Sequence, residues 1–262
     1  MRIDAHVHAF PDRLALRVRE ALSRNGPLPG SPLLAAVGER VRGDGFDAAW
    51  ILPYAHRAGV AEGVNEWSAA EVAACPWLIA GATFHPDDAD FARLVERALV
   101  ELGLRVVKLH CSVGGFAASD PRLEPLWNTA ERLGVPIVTH AGHRSGGGTE
   151  QDEIDQEVVP VLKAHPELRF VLAHAGHPNT GHALGLMERF ENLRVDVTPV
   201  WNAPIAVTAN DLERFAGRIL FGSDAPNCPQ PTAEQVARFT AMALSPSALE
   251  QLLGGAAAAL TG

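Results

Sequence analysis

Short apolar segments alternate with longer segments of helical periodicity along the whole chain. The apolar segments are mostly Val, Ile, Leu and Ala, as in parallel strands that are buried on both faces. They predict eight strands, at 2–7, 48–53, 78–83, 104–110, 135–140, 168–174, 193–198 and 218–222. Helices are predicted between them, among others at Asp90–Leu102, Pro121–Leu133, Gln151–Ala164 and Ala183–Phe190. The chain is therefore expected to be a series of βαβ units.

Eight such units predict an α/β protein with a single (β/α)8 barrel that spans residues 1–262. An open doubly wound sheet is the main alternative, but it would carry a glycine-rich turn after its first strand. The sequence at that point is Ala9-Phe10-Pro11-Asp12. Since no linker, low-complexity run or charge block divides the chain, one domain is expected.

Charge and cysteine content narrow the class of function. With 22 basic and 31 acidic residues, the formal net charge is −9, and no basic stripe for nucleic acid is present. No apolar run approaches the roughly 18 residues of a membrane span, and the chain opens without a secretory signal. Cys75, Cys111 and Cys228 are too widely spaced for a disulfide framework or a Cys-x-x-Cys metal site. These features predict a cytoplasmic protein with a small-molecule substrate.

The positions of the histidines indicate where a functional site would lie. Several of them, together with one aspartate, fall where predicted strands end: His6, His8, His110, His140, His174 and Asp224. The carboxyl ends of parallel barrel strands share one rim, where barrel enzymes have their active sites. Side-chain alternation also places His6 and His8 on one face of the first strand, and Lys108 and His110 on one face of the fourth.

Such a group of side chains is costly to bury unless it binds a ligand. Imidazole nitrogens and a carboxylate suit Zn²⁺, Mn²⁺ or Fe²⁺. Without an ion, their burial would desolvate several polar groups at several kcal/mol in total. The sequence therefore predicts a divalent metal site at the rim. His165 and His182 lie away from strand ends and are expected at the surface.

Seven short motifs follow one another over almost the whole chain. They are Asp4-Ala5-His6-Val7-His8, Phe84-His85-Pro86, Val107-Lys108-Leu109-His110, Asp120-Pro121-Arg122-Leu123, Pro136-Ile137-Val138-Thr139-His140-Ala141-Gly142, Leu172-Ala173-His174-Ala175-Gly176-His177-Pro178 and Phe221-Gly222-Ser223-Asp224-Ala225-Pro226. In these motifs the chain resembles the amidohydrolase superfamily, and within it the amidohydrolase-2 branch, which includes aminocarboxymuconate-semialdehyde decarboxylase. The resemblance implies a (β/α)8 barrel with a metal site.

For the ligands, the resemblance implies one divalent ion, most often zinc, held by His6, His8, His140 and Asp224. The residue that matches His174 would contact or orient the metal-bound water. In binuclear members of the wider superfamily, a carboxylated fourth-strand lysine bridges two ions, and Lys108 is suitably placed for that role. The amidohydrolase-2 pattern favours one metal. The charge of lysine favours it too, because an unmodified lysine is a cation and would repel the ion. Lys108 and His110 would then face the substrate.

The expected reaction is hydrolysis of a small amide, lactone or ester by a metal-activated water, with Asp224 taking the proton. The family also contains decarboxylases and hydratases, so decarboxylation or hydration of a small unsaturated acid is the alternative. Rim-loop residues expected to contact the substrate are Arg57, His143, Arg144 and Trp201. The two arginines would pair with a substrate carboxylate.

Two other functions are compatible with such a barrel, and each makes a different demand. A TatD-type metal nuclease would have a glutamate ligand near strand four and a basic rim, neither of which the sequence offers. A non-catalytic metal-binding barrel would have a degraded ligand set, and this one is intact. Dimers are common in the resembling family, so a homodimer is compatible with the resemblance.

Overall fold

Parallel strands follow one another around a barrel in the computed structural model, which describes residues 1–23, 30–141, 150–200 and 203–262. The strands are β1 (Ile3–Val7), β2 (Ala48–Ile51), β3 (Leu78–Thr83), β4 (Val106–His110), β5 (Ile137–His140), β6 (Phe170–Leu172), β7 (Leu193–Asp196) and β8 (Ile219–Leu220). Each strand pairs with its sequence neighbours, and Val7 bridges to Ala225 beyond β8, joining the two ends of the sheet. The predicted (β/α)8 barrel is confirmed.

Helices lie between and after the strands. They are α1 (Asp12–Ser23), α2 (Leu34–Gly43), α3 (Ala61–Trp67), α4 (Phe91–Glu96), α5 (Cys111–Gly114), α6 (Glu124–Leu133), α7 (Glu150–Ala164), α8 (Thr180–Arg189), α9 (Ala209–Arg214), α10 (Thr232–Thr240), α11 (Pro246–Glu250) and α12 (Ala256–Thr261). Several are extended by a π-helical or 3₁₀ turn, such as Arg97–Glu101 after α4 and Pro121–Leu123 before α6. With these turns, α4 and α6 cover the predicted helices Asp90–Leu102 and Pro121–Leu133 closely.

The apolar residues form two main layers. The inner layer fills the barrel, where Ile3 and Ala5 of β1 pack with Trp50, Val106 and Val138 of other strands. The outer and larger layer lies between the strands and the surrounding helices. This division follows from side-chain alternation in strands that are buried on both faces.

A β-bulge in β1 decides which way the first histidines face. The pairing register between β1 and β2 shifts by one residue between Asp4 and Val7. An extra residue of this kind reverses the alternation of side chains further along the strand. Val7 therefore packs in the outer layer, although Ala5 packs in the inner one. After the shift, His6 and His8 both face the barrel interior.

Some sequence expectations need correction. Strand β6 ends at Leu172, so His174 lies beyond it, in the 3₁₀ turn Ala173–Gly176. His165 was expected at the surface but is buried, with its Nδ1 3.2 Å from Oε2 of Glu131. A partner carboxylate lets an imidazole be buried at low cost, and the sequence gives no local sign of that pairing. No helix in the described part of the chain is long and apolar enough to cross a membrane.

Two glycines allow a matched test of backbone conformation. Gly134 ends α6 with a φ of 65°, whereas Gly185 lies in the exposed middle of α8, with nothing within 4 Å of an added Cβ. We expect Gly134→Ala to lower the free energy of unfolding by about 1 kcal/mol, because alanine resists positive φ. Gly185→Ala should raise it by about 0.4–1 kcal/mol. Urea unfolding of both variants tests this, and equal effects would contradict it.

Candidate metal centre

Three side chains from the two ends of the sheet bring their ligand atoms together. One ligand atom each from His6, His8 and Asp224 lies within 4.8 Å of the other two, and all three residues are buried. Nε2 of His6 is 3.2 Å from Nε2 of His8, and that nitrogen is 3.1 Å from Oδ1 of Asp224. The join between β1 and the segment after β8 supports this proximity, because the Asp224 amide donates to the His6 carbonyl at 2.9 Å.

The other nitrogen of each imidazole fixes where its proton lies. Nδ1 of His6 is 2.9 Å from Oδ2 of Asp196, and Nδ1 of His8 is 2.6 Å from the carbonyl oxygen of Leu52. Carboxylate and carbonyl oxygens only accept hydrogen bonds, so each Nδ1 carries the proton. In the neutral form of each ring, Nε2 keeps a lone pair, and both Nε2 atoms lie near the Asp224 carboxylate.

These facing acceptors fit a metal ion. Two ligand atoms that lie about 2.0–2.1 Å from a tetrahedral zinc ion are about 3.3–3.4 Å apart. The separations of 3.2 Å and 3.1 Å at the centre are close to that spacing. Nζ of Lys108, 3.0 Å from Nε2 of His6, gives one of these lone pairs a donor. A divalent cation would satisfy all three acceptors together.

Asp196, at the end of β7, is a site residue that the sequence analysis missed. Its Oδ2 accepts from His6 Nδ1, and its Oδ1 accepts from the backbone N–H of His174 at 2.8 Å and of Thr198 at 3.2 Å. Burial alone would raise the pKa of this carboxyl, but its interaction with the His6 imidazole, which donates Nδ1–H to it, and its other hydrogen bonds lower the pKa well below its usual value. The available signal was a carboxylate at the end of a buried strand, as with Asp224.

Asp224 and His174 reach the cavity from unusual backbone conformations. Their φ angles are 57° and 55°, in the left-handed region that non-glycine residues rarely adopt. Such conformations cost about 1–3 kcal/mol each and are typical of functional sites. The His174 ring is held by Nδ1, 3.1 Å from the carbonyl oxygen of Thr198, so that Nδ1 donates and Nε2 keeps its lone pair.

Gly222 leaves room for the side chains of His6 and Thr198. A Cβ at this position would lie 2.5 Å from Cβ of His6 and would also collide with Oγ1 of Thr198. Since real Cβ atoms do not approach so closely, any larger residue would displace the His6 ligand or the β7 end. The glycine in Phe221-Gly222-Ser223-Asp224 is thus explained by close packing against β1.

A cavity of about 160 Å³ opens beside the three ligand atoms. The described residues that line it include most of the predicted site: His8, Lys108, His110, His140, His174 and Asp224. His140 lies outside the three-ligand group, and its ring is 4.9 Å from that of His174 and 4.2 Å from that of His110. Tyr54 and Asn227 also line the cavity, and the Asn227 amide is 3.3 Å from Oδ1 of Asp224.

Burial controls protonation in this cavity. It lowers the pKa of His6 to about 3, with a further contribution from the Lys108 charge. Burial likewise lowers the pKa of His174, and it holds that of His110 well below its usual value. The Lys108 pKa falls to about 8 through burial, which the charges of Asp196 and Asp224 partly oppose. At neutral pH the His6, His110 and His174 imidazoles are therefore neutral, and a neutral imidazole can offer a nitrogen lone pair to a cation.

The predicted substrate contacts are placed only in part. Arg57 is exposed, donates to the carbonyl oxygen of Ala58 at 3.3 Å, and is not among the described residues that line the cavity. His143, Arg144 and Trp201 lie outside the described residues. Substrate binding by these four residues stays a prediction.

The whole-chain comparison decides the family. The model of the family described as Amidohydrolase, Amidohydro_2, matches residues 3–262. The chain belongs to this family. The resemblance inferred from the motifs is confirmed, and the family is one of metal-dependent enzymes. No curated protein matches the sequence of this chain.

Solved structures share the barrel of this chain at low sequence identity. 4-Oxalomesaconate hydratase of Rhodopseudomonas palustris is 18% identical over 100% of this chain and 95% of its own, with a TM-score of 0.66. 2,6-Dihydroxybenzoate decarboxylase of Rhizobium is 16% identical over 99% of this chain and 98% of its own, with a TM-score of 0.69. 5-Carboxyvanillate decarboxylase of Novosphingobium aromaticivorans was solved with bound manganese. It is 15% identical over 98% of this chain and 95% of its own, with a TM-score of 0.69. At this identity the likeness establishes the fold.

The hydrogen bond from His6 to Asp196 predicts a change in metal affinity. Asp196→Asn keeps an acceptor but removes the charge that fixes the His6 proton on Nδ1. We expect zinc affinity to fall about 10- to 100-fold, the usual effect of removing a carboxylate that orients a ligand histidine. Competition titration against a chelating dye measures this affinity.

Asp155→Asn is the matched control, because Asp155 pairs with His182 at 2.9 Å on the surface, away from the centre. It should leave zinc affinity unchanged. Thermal unfolding of both variants separates lost binding from lost folding. Zinc affinity of the wild-type value in folded Asp196→Asn would contradict the role of this carboxylate.

Proposed function

We propose that this amidohydrolase hydrolyses a small carbonyl compound that carries a negative charge, using one divalent ion held by His6, His8, His140 and Asp224. The observation that carries the proposal is the convergence of two Nε2 lone pairs and one carboxylate beside a cavity. His140 is proposed as the remaining ligand because it lines that cavity and adjoins His174. Zinc fits the nitrogen and oxygen donors, as do manganese and iron.

The size and charge of the cavity support a small anionic substrate. A cavity of about 150 Å³ accommodates benzene, and this one measures about 160 Å³. Its described lining holds the ammonium of Lys108, the carboxylate of Asp224 and the neutral imidazoles of His110 and His174. With a divalent ion in place, the net charge around the substrate would be positive. A substrate carboxylate would offset that charge.

The proposed roles follow from the hydrogen bonds of each side chain. A bound divalent ion would polarise the substrate carbonyl and lower the pKa of a coordinated water. Burial alone would raise the pKa of Asp224, but its contact with the His8 imidazole lowers the pKa overall, so Asp224 is a carboxylate that can take the proton of the attacking water. His174 has only its Nε2 lone pair free, so it would accept a hydrogen bond from that water.

Decarboxylation of a small acid is the second candidate. This reaction breaks a C–C bond, releases CO₂ and needs a proton for the carbon atom left behind. The Lys108 ammonium, buried in the cavity wall with a pKa of about 8, offers a proton at neutral pH. The decarboxylases and hydratase with the same barrel act on small acids, as their names state, which favours this class of substrate.

The two reactions leave different products. The metal-loaded protein would be incubated with a panel of charged lactones, amides and esters, and with hydroxybenzoates and unsaturated acids. Mass spectrometry would find the added mass of water after hydrolysis and the lost mass of CO₂ after decarboxylation. We expect hydrolysis to be the reaction that is detected. No turnover of any compound by fully metal-loaded protein would favour a non-catalytic barrel instead.

Asp224 provides the main test of mechanism. Asp224→Asn should reduce kcat by at least about 100-fold, because general-base catalysis contributes about 10²–10⁴-fold. Asp155→Asn on the surface should retain wild-type kcat. Chelation of the metal should abolish turnover in the wild type, and zinc or manganese should restore it. Wild-type turnover by folded, metal-loaded Asp224→Asn would contradict the proposed role.

Metal content distinguishes the mononuclear and binuclear forms. We expect elemental analysis of the purified protein to give about one ion per chain. In the described part of the chain, His6, His8 and Asp224 form the one group of at least three His, Cys, Asp or Glu side chains whose ligand atoms lie within 4.8 Å of one another. A ratio near two, accompanied by the added mass of a carboxyl group on Lys108, would establish the binuclear form instead.

A further inference from the structure

A second, larger recess adjoins the cavity on the side of helix α1. It has a volume of about 300 Å³ and is lined mainly by apolar atoms. Its walls are the α1 residues Leu14, Arg17, Val18 and Ala21, together with Tyr54, His56 and Val113. We call this recess the α1 groove. Arg17 and His56 are exposed, so the polar side chains lie at its outer edge.

The α1 groove adjoins the site of the proposed reaction. Tyr54 and Val113 line both the groove and the cavity beside the metal ligands. The Tyr54 ring lies 5.4 Å from the His8 ring and 5.0 Å from the His110 ring. Tyr54 and Val113 thus lie between the two spaces, and a molecule that extends from His8 into the groove would contact both side chains.

The inner cavity is small for an enzyme site. Pockets for small molecules usually measure about 300–1,000 Å³, and the cavity alone measures about 160 Å³. The groove brings the joined space into the usual range. Its apolar surface is also left uncovered, since Val113 is 45% exposed and Val18 is only half-buried. Apolar surface next to a reactive site is stabilised by a ligand that covers it.

We propose that the α1 groove binds the apolar tail of a carboxylic acid substrate whose reacting end lies at the metal centre. The inference rests on the proposed function, which places an acid in the inner cavity. Leu14, Val18 and Ala21 recur at helical spacing on one face of α1 and supply the apolar wall. The aliphatic stem of Arg17 extends that wall, while its charged end stays in water. The groove would thus select acids by the length of their apolar part.

Straight-chain acids from butanoate to octanoate measure this selection directly. Their affinity for the zinc-loaded protein would be obtained by isothermal titration calorimetry. In the wild type we expect the dissociation constant to fall about three- to fourfold for each methylene that enters the groove. In Val18→Trp, whose indole fills the groove, octanoate should bind no more tightly than butanoate.

Leu16→Trp is the matched control, because Leu16 lies on the same helix but is 62% exposed and is not a groove residue. It should keep the wild-type dependence on chain length. Ala21→Leu, on the same wall as Val18, serves as a second blocking variant if Val18→Trp does not fold. Circular dichroism checks the fold of each variant.

Several results would overturn the proposal that the α1 groove binds the tail of the acid. They are equal affinity for butanoate and octanoate in the wild type, an unchanged length dependence in the folded blocking variants, and no binding of any acid. Titration after zinc removal tests the proposed function separately. If butanoate binds equally well without zinc, the metal-centred assignment fails, while the length comparison still decides whether the groove takes the tail.

Discussion

The candidate centre depends on two protons that are fixed away from it. His6 and His8 each donate Nδ1–H to an oxygen that only accepts, so that both Nε2 lone pairs face one carboxylate. Burial then keeps the His6 ring neutral, and a neutral imidazole offers a lone pair that an imidazolium lacks. Three acceptors left to face one another are unfavourable until a cation lies among them. The metal site is thus defined as much by Asp196 and Leu52 as by its ligands.

The barrel supplies this arrangement through local irregularities of its strands. The bulge in β1 turns His6 and His8 inward together, and the left-handed backbone of Asp224 places its carboxylate against them. Gly222 is needed because the chain passes too close to His6 for any side chain. Each irregularity costs free energy locally, and the packed layers on both sides of the sheet supply the stability that offsets it.

Sequence patterns could predict the fold and the position of the site because both follow from periodicity. Apolar strands buried on both faces imply a parallel barrel, and strand ends imply the rim, which was enough to bring His6, His8 and Asp224 together. Tautomers and tertiary partners lay beyond this reasoning. Asp196 appears as one more strand-end acid until its hydrogen bond to His6 is known. His165 appeared to be a surface residue because its glutamate partner is distant in sequence.

The same geometry limits which chemistry the cavity can support. With Nδ1 donating to Thr198, a neutral His174 can accept a proton at Nε2, and among the described residues of the cavity wall the Lys108 ammonium can donate one. Hydrolysis needs an acceptor for the proton of water, which Asp224 and His174 provide. Decarboxylation needs a proton donor to carbon, which the Lys108 ammonium provides at neutral pH, whereas the lowered pKa of Asp224 keeps that residue ionised. The choice between the two reactions therefore depends on whether the substrate places its reacting carbon nearer Lys108 or nearer Asp224.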